Sequence, residues 1–252
     1  LITHLQNLRY LIGFKGTSGF VLLGGKKNFF FTDFRYRGVA QQLEKRKTRI
    51  PFKFIEVNKN FEQKLRKRIR GKVEFESRNT AVDELKMWKK RLKQPFVPTK
   101  HPVEEQRLIK EKDEIKKLKK SQEINEETLK QILKLLKLGI TELEIAWKIK
   151  TIGHELGAED ISFEPIVAFG AHSSVPHHQN SSNKLKPNEI VLIDMGMKFQ
   201  GYCSDMTRTF LPKKSTAEQV KIYEKVLRAQ RLAMEALKAG VKATKLDKMA
   251  RE

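Results

Sequence analysis

The feature that most constrains this chain is the segment VLIDMGMKFQGYCSDMTRTF, Val191 to Phe210, in which Asp194 and Asp205 interrupt strand-like, otherwise buried sequence. Two apolar runs joined by a short polar tip read as an antiparallel hairpin. With Phe199-Gln200 as a two-residue turn, the two aspartates are equidistant from it and stand directly opposite on one face, their Cβ atoms about 4.5–5.5 Å apart. Two ionised carboxylates that close in partly desolvated surroundings repel each other, and an unpaired buried charge is costly. A positive centre between them resolves the conflict. Hard oxygen ligands suit divalent ions such as manganese, and close carboxylates can clamp two of them about 3.5–4 Å apart. The competing reading is one aspartate in a surface turn and the other paired with Arg208 or a lysine. Asp-Met-Gly followed by Ser-Asp-Met-Thr-Arg-Thr favours the metal, because small and hydroxyl-bearing neighbours suit a crowded site with outer hydrogen bonds.

A second candidate is His177, in the loop SSVPHHQNS that precedes the first aspartate strand. Pro176 stiffens that loop, and a rigid loop is a common platform for a functional side chain. Such a histidine can bind substrate or donate a hydrogen bond to a tetrahedral intermediate. Taken alone, the Pro-His-His tripeptide reads equally as ordinary polar loop, for His178 as for His177. His172 and His154 stay with that plain reading, and neither His101 nor His4 is given a role. Cys203, between the aspartates, reads as a small buried apolar residue rather than a nucleophile, because no activating partner can be named.

The remainder of the chain divides in two. The first hundred residues alternate strand and helix: GFVLLGG and NFFFTDFRY around a Gly-Gly-Lys-Lys turn, then helices over 39–47, 61–69 and 81–92 alternating with FKFIEV and KVEFES. This is an α/β pattern. Asn60 and Gln63 resemble a cap for the second helix. The run QPFVPTKHPV carries prolines at 95, 98 and 102 and cannot continue a helix, so the boundary falls there, giving an N-terminal domain over 1–98 and a second over 103–252. A long amphipathic helix is predicted over 104–138, ended by Gly139. Thr141 and Glu144 cap the next, and Ser215 with Glu218 opens another reaching about residue 239. Strand patterns at FEPIVAFG and through the aspartate hairpin make the second domain α+β.

Composition narrows the function classes. One cysteine in 252 residues excludes a disulfide framework and a thiolate metal cluster, which points to a reducing, cytoplasmic setting. No stretch reaches the roughly 18 apolar residues of a membrane helix. The net charge of +22 could attract polyanions, but the lysines alternate with glutamates at helical spacing, the pattern of a solvated face, and no nucleic-acid motif accompanies them. Nucleic acid is therefore disfavoured as a partner.

The residues FEPIVAFGAHSSVPHH and LKPNEIVLIDMGMKFQGYCSDMTRTF together resemble the first histidine loop and two-aspartate hairpin of the pita-bread metallopeptidases (M24), the family of methionine aminopeptidase, aminopeptidase P and prolidase. Upstream, NLRYLIGFKGTSGFVLL and TDFRY resemble the creatinase-like N-terminal domain of the Xaa-Pro branch. The resemblance covers almost the whole chain. It implies a creatinase-like α/β domain followed by a pita-bread α+β catalytic domain, with Asp194 holding one metal, Asp205 bridging two, and His177 steadying the reacting carbonyl. The implied reaction is hydrolysis of the peptide bond preceding proline by a metal-activated hydroxide, in an aminopeptidase or dipeptidase. Two divalent ions are implied, manganese foremost and cobalt or zinc as alternatives, together with a proline-containing peptide substrate and a homodimer. The family's other ligands, a histidine and two glutamates, and its second catalytic histidine have no counterparts here. The expectation is a chain truncated at its C-terminus, missing residues at its front too, and inactive alone. The rival is a non-catalytic pita-bread relative that binds peptides or nucleic acid. Retention of both aspartates and His177 argues against it.

Overall fold

A computed structural model describes residues 1–252 apart from Gly25, Lys26, Arg70 and His101. The predicted Gly-Gly-Lys-Lys turn therefore lies partly, and His101 wholly, outside the described residues. The chain divides into two compact units, Leu1–Lys110 and Glu111–Glu252. Among the described residues no helix is long and apolar enough to cross a membrane.

The first unit runs α1 (Leu5–Ile12), β1 (Phe20–Leu22), β2 (Phe29–Thr32), α2 (Arg37–Lys45), β3 (Lys53–Glu56), α3 (Phe61–Arg66), β4 (Val73–Glu76), α4 (Val82–Leu92), β5 (Phe96–Thr99) and α5 (Glu104–Leu108). β2 pairs antiparallel with β1 and parallel with β3, while β4 and β5 pair parallel. The alternation of strand side chains assigns the core. Val21 and Phe30 join Leu8, Ile12 and Phe14 in one cluster, whereas Phe20, Leu22 and Phe31 join Leu65, Trp88 and Leu92 in another. Helices thus cover both faces of the sheet, as parallel crossovers require.

Several local readings need correction. The proline run is not an unstructured linker: Phe96–Thr99 pairs with Val73–Glu76, and Pro98 is accommodated because β5 ends its sheet and leaves one side unpaired. The units consequently part at Lys110–Glu111. The single helix expected over 104–138 is two, because Glu111 caps a new helix: its side chain accepts the backbone N–H of Glu114, whose carboxylate accepts the N–H of Glu111 at 2.9 Å. Leu108, which lies within the span expected as one amphipathic helix, is 72% exposed. Asn60 makes no side-chain cap bond, and the cap expected from Ser215 and Glu218 is made one residue later by Thr216 and Gln219.

The second unit comprises α6 (Lys112–Leu135), α7 (Glu142–Glu155), β6 (Asp160–Ile161), β7 (Ile166–Phe169), β8 (Val191–Met195), β9 (Met197–Phe199), β10 (Tyr202–Cys203), β11 (Met206–Phe210), α8 (Ala217–Ala236) and α9 (Ala243–Arg251). The Thr141–Glu144 capping box forms as expected. α6 and α7 contribute Ile124, Leu129, Ile132, Ile145 and Ile149 to a core shared with Val167, Phe169, Ile193, Met195, Met197 and Met206. Each such side chain gains about 1.5–3 kcal/mol from burial, so this layer fixes the strands beneath it. α8 and α9 pack on each other, and neither contains a buried residue.

Candidate active site

The hairpin that carries the aspartates turns at Gln200–Gly201, both with positive φ (47° and 83°), a pair of left-handed residues that suits the twist of a two-residue hairpin. Tyr202 pairs with Phe199, Cys203 with Lys198, Met206 with Met195 and Thr207 with Asp194. The register is thus displaced by two residues from that given by a Phe199-Gln200 turn. Asp194 faces Thr207 rather than Asp205, and Asp205 lies in the gap between β10 and β11. Because side chains alternate with a period of two, this displacement keeps both carboxylates on the face away from the core. They stand diagonally, a relation that spaces Cα atoms about 7–8 Å apart in a regular ladder.

The gap has a physical cause. A Cβ on Gly196 would collide with the Ser204 carbonyl oxygen, so the two strands approach there more closely than any side chain permits. The ladder breaks between β8 and β9, and side chains bond the backbone on either side of the break. Ser121 Oγ and Ser162 Oγ donate to the Met197 carbonyl at 2.6 and 2.7 Å, Asn125 Nδ2 donates to that of Met195 at 3.1 Å, and Met197 N–H donates to Ser204 Oγ at 3.0 Å. The kink is therefore held from α6 and aims Asp205 outward.

Asp194 is half-buried on the central strand of the order β11-β8-β7, and its Oδ1 accepts a 2.6 Å hydrogen bond from Thr207 Oγ1. Asp205 is exposed. Among the described residues neither carboxylate has a cationic side-chain partner, and Arg208 donates instead to the Thr207 carbonyl. This donor set, two carboxylate oxygens on one face without a counter-cation, fits a hard divalent ion. Cys203 is exposed, contrary to the expectation of a small buried residue, because it occupies the outward position of the short β10.

His177 follows Pro176 in a turn after β7 and a short 3₁₀ segment, Gly170–Ser174. It is exposed and makes no hydrogen bond among the described residues. Its loop is pinned on both sides. Asn180 covers the free edge of β7, accepting from Val167 N–H and donating to the Pro165 carbonyl, both at 2.7 Å. These two residues flank Ile166, the cross-strand partner of Asp194. The loop of His177 thus returns to the strand position beside the half-buried aspartate.

The other anchor, Glu142, was not singled out in the sequence. It is fully buried at the first turn of α7, where an acid beside a capping box reads as a helix-terminus charge. Oε1 accepts from Phe169 N–H (3.0 Å) and lies 2.8 Å from His172 Nδ1. Oε2 accepts from Ser181 N–H and Oγ (3.0 and 2.8 Å) and lies 2.9 Å from His178 Nε2. Burial alone would raise its pKa. The Phe169 N–H, then His178, His172 and Ser181, outweigh that and hold it at about 2. His172 and His178, read as plain loop residues, therefore have a defined place. Only the convergence of three separated segments shows it.

Comparison with known proteins identifies the family. Residues 116–252 match Metallopeptidase family M24, and residues 1–109 match the Creatinase/Prolidase N-terminal domain. An uncharacterized peptidase of Bacillus subtilis, YqhT, is 31% identical over 100% of this chain and 71% of its own length. An uncharacterized peptidase of Staphylococcus aureus (strain USA300) is 36% identical over 59% of this chain, a stretch amounting to 42% of that protein. Among solved structures, the Xaa-Pro dipeptidase from Bacillus anthracis superposes with TM-score 0.92 at 30% identity, over 99% of this chain and 70% of that one. The X-Pro aminopeptidase from Thermotoga maritima MSB8 gives 0.89 at 27%, over 100% and 72%. With its second unit matched over most of its length and its first matched throughout nearly all of it, the chain belongs to metallopeptidase family M24, with a creatinase/prolidase-type N-terminal domain ahead of the pita-bread domain.

Proposed function

We propose that this chain is part of a Xaa-Pro peptidase, an aminopeptidase or dipeptidase acting on the peptide bond that precedes proline. The observation that carries the reading is the pair Asp194 and Asp205, both outward on one kinked hairpin and lacking a cationic partner among the described residues, within a metallopeptidase family. In this reading Asp194 and Asp205 would hold the divalent metals. Manganese is the ion proposed first, with cobalt or zinc as substitutes, and the bound metals supply Lewis-acid activation of water at neutral pH.

The chain's own residues set the geometry. Thr207 fixes the rotamer of Asp194 by its hydrogen bond, which keeps one carboxylate oxygen occupied and the other free. The rigid kink at Gly196 presents Asp205. His177 donates a hydrogen bond to the substrate carbonyl oxygen as negative charge develops there, an interaction stronger in the transition state than in the ground state. The proposed substrate is a proline-containing peptide, and the proposed setting is a cytoplasmic homodimer.

Replacing Asp205 by Asn in the complete enzyme keeps size and exposure but removes the charge. Turnover of a proline-containing dipeptide or tripeptide is expected to fall on the order of 10³-fold or more, with an unchanged circular dichroism spectrum. Turnover equal to the parent's would refute the assignment.

A further inference from the structure

We propose that Glu142, His172 and His178 form a separate site for a single zinc-class divalent ion at the root of the His177 loop. The site shares no residue with the aspartate pair, and the inference does not depend on the peptidase reading.

The three side chains come from the start of α7 and from both sides of Pro176–His177, and one donor atom from each lies within 4.8 Å of the other two. The imidazole rings of His172 and His178 stand 4.4 Å apart between centroids and are tilted by 34°. Each directs one nitrogen at a different oxygen of the same carboxylate, at 2.8 and 2.9 Å. Two histidines and one glutamate, with a fourth position left open, is a recurring zinc set. Zinc holds imidazole nitrogen at about 2.0–2.1 Å and carboxylate oxygen at about 2.0–2.2 Å, so each nitrogen–oxygen pair spaced as here would subtend about 90° at a shared ion. Shifts of a few tenths of an ångström would open that angle towards the tetrahedral.

The surroundings favour an ion over a plain hydrogen-bonded pair. The carboxylate is already oriented and ionised by Phe169 N–H and by Ser181 N–H and Oγ, which act as the outer hydrogen bonds that fix a ligand and sharpen its affinity. His172 is 39% exposed at its side chain and His178 11%, so the open position faces solvent on the His172 side. Without metal, each imidazole must donate an N–H to the carboxylate. With metal, that nitrogen offers its lone pair and the proton moves to the other ring nitrogen. One ion thus replaces two hydrogen bonds with no net release of protons from neutral rings.

The test titrates zinc chloride and cobalt chloride into the metal-free chain and into an Asp194→Asn/Asp205→Asn background, which removes the other carboxylate pair. Calorimetry and the visible bands of low-coordinate cobalt(II) provide the readout. One equivalent bound in both backgrounds, with the intense spectrum of a four-coordinate nitrogen–oxygen site, is expected. His172→Asn and His178→Asn should each weaken it by more than the roughly 10–100-fold that loss of an outer hydrogen bond costs. Because His172 is half-exposed, His172→Asn should retain the parent's circular dichroism. Metal lost in the Asp194→Asn/Asp205→Asn background but unaffected by His172→Asn overturns the site and assigns binding to the aspartates. No binding in either background overturns it as well, leaving Glu142 as a hydrogen-bonded staple.

Discussion

Glu142 shows how much a single buried carboxylate can organise. Five hydrogen-bond contacts from Phe169, His172, His178 and Ser181 converge on it, drawing the two ends of the stretch from Phe169 to Ser181 onto the start of α7. Its pKa is depressed in the folded state, so the stability it confers is fully present above the ordinary glutamate range, near 4.3, and is lost as the pH falls towards about 2. The shift corresponds to about 3 kcal/mol. For the metal-free chain, urea midpoints should fall between about pH 5 and pH 3. Glu142→Gln should lower stability at neutral pH by about 1.5–3 kcal/mol and flatten that slope. An unaltered pH slope in the variant would show that the acid response originates elsewhere. None of this was legible beforehand, because a helix-initiating glutamate and two loop histidines follow common local patterns, and their meeting depends on the path of the chain between them. Asp194, Asp205 and His177 stood out in the sequence because each breaks its local pattern: two acids within strand-like sequence and a histidine after a stiffening proline.

At the level of elements, the hairpin was foreseeable and its register was not. Phe199-Gln200 and Gln200-Gly201 both make plausible two-residue tips, and the choice rests on the glycine, which adopts the second left-handed position at little cost. An error of one residue would have sent the carboxylates to opposite faces. An error of two leaves them on one face, so the shared face does not depend on the turn assignment. The kink makes its own prediction. Gly196→Ala should destabilise the chain by about 1–3 kcal/mol, since the clash is with the backbone of Ser204 rather than a yielding side chain. Equal denaturation midpoints for the two proteins would mean that the strands can separate there without penalty. α8 and α9 stand at the other extreme. With no buried residue in either helix, their amides should exchange far faster than those of α6 and α7, whose shared core resists opening. Uniform protection across these four helices would contradict that ranking. Helix boundaries were missed chiefly where caps compete: Thr216 and Gln219 prevailed over Ser215 and Glu218, and Glu111 divided a helix whose hydrophobic stripe appeared continuous.

Across the whole molecule, charge and division into units carry separate lessons. On the helices acids offset much of the basic charge, and pairs such as Lys117–Asp113 and Lys130–Glu127 recur at helical spacing. Such a surface should hold duplex DNA only loosely at low salt and release it near physiological ionic strength. Sequence-selective binding that persists there would instead favour the reading of a nucleic-acid-binding module. Both units were legible as separate patterns, but their junction was not, because a proline-bearing edge strand looks like a linker until its partner is seen. The junction is set by Glu111 and Glu114, which close the first turn of α6 between themselves, while Glu114 also accepts a 2.8 Å hydrogen bond from Tyr202 on the hairpin. Every one of those groups lies in the second unit. That unit therefore supplies its own helix start, and grafting it behind an unrelated leading domain, or exchanging creatinase-type domains between relatives, should leave the first turn of α6 formed.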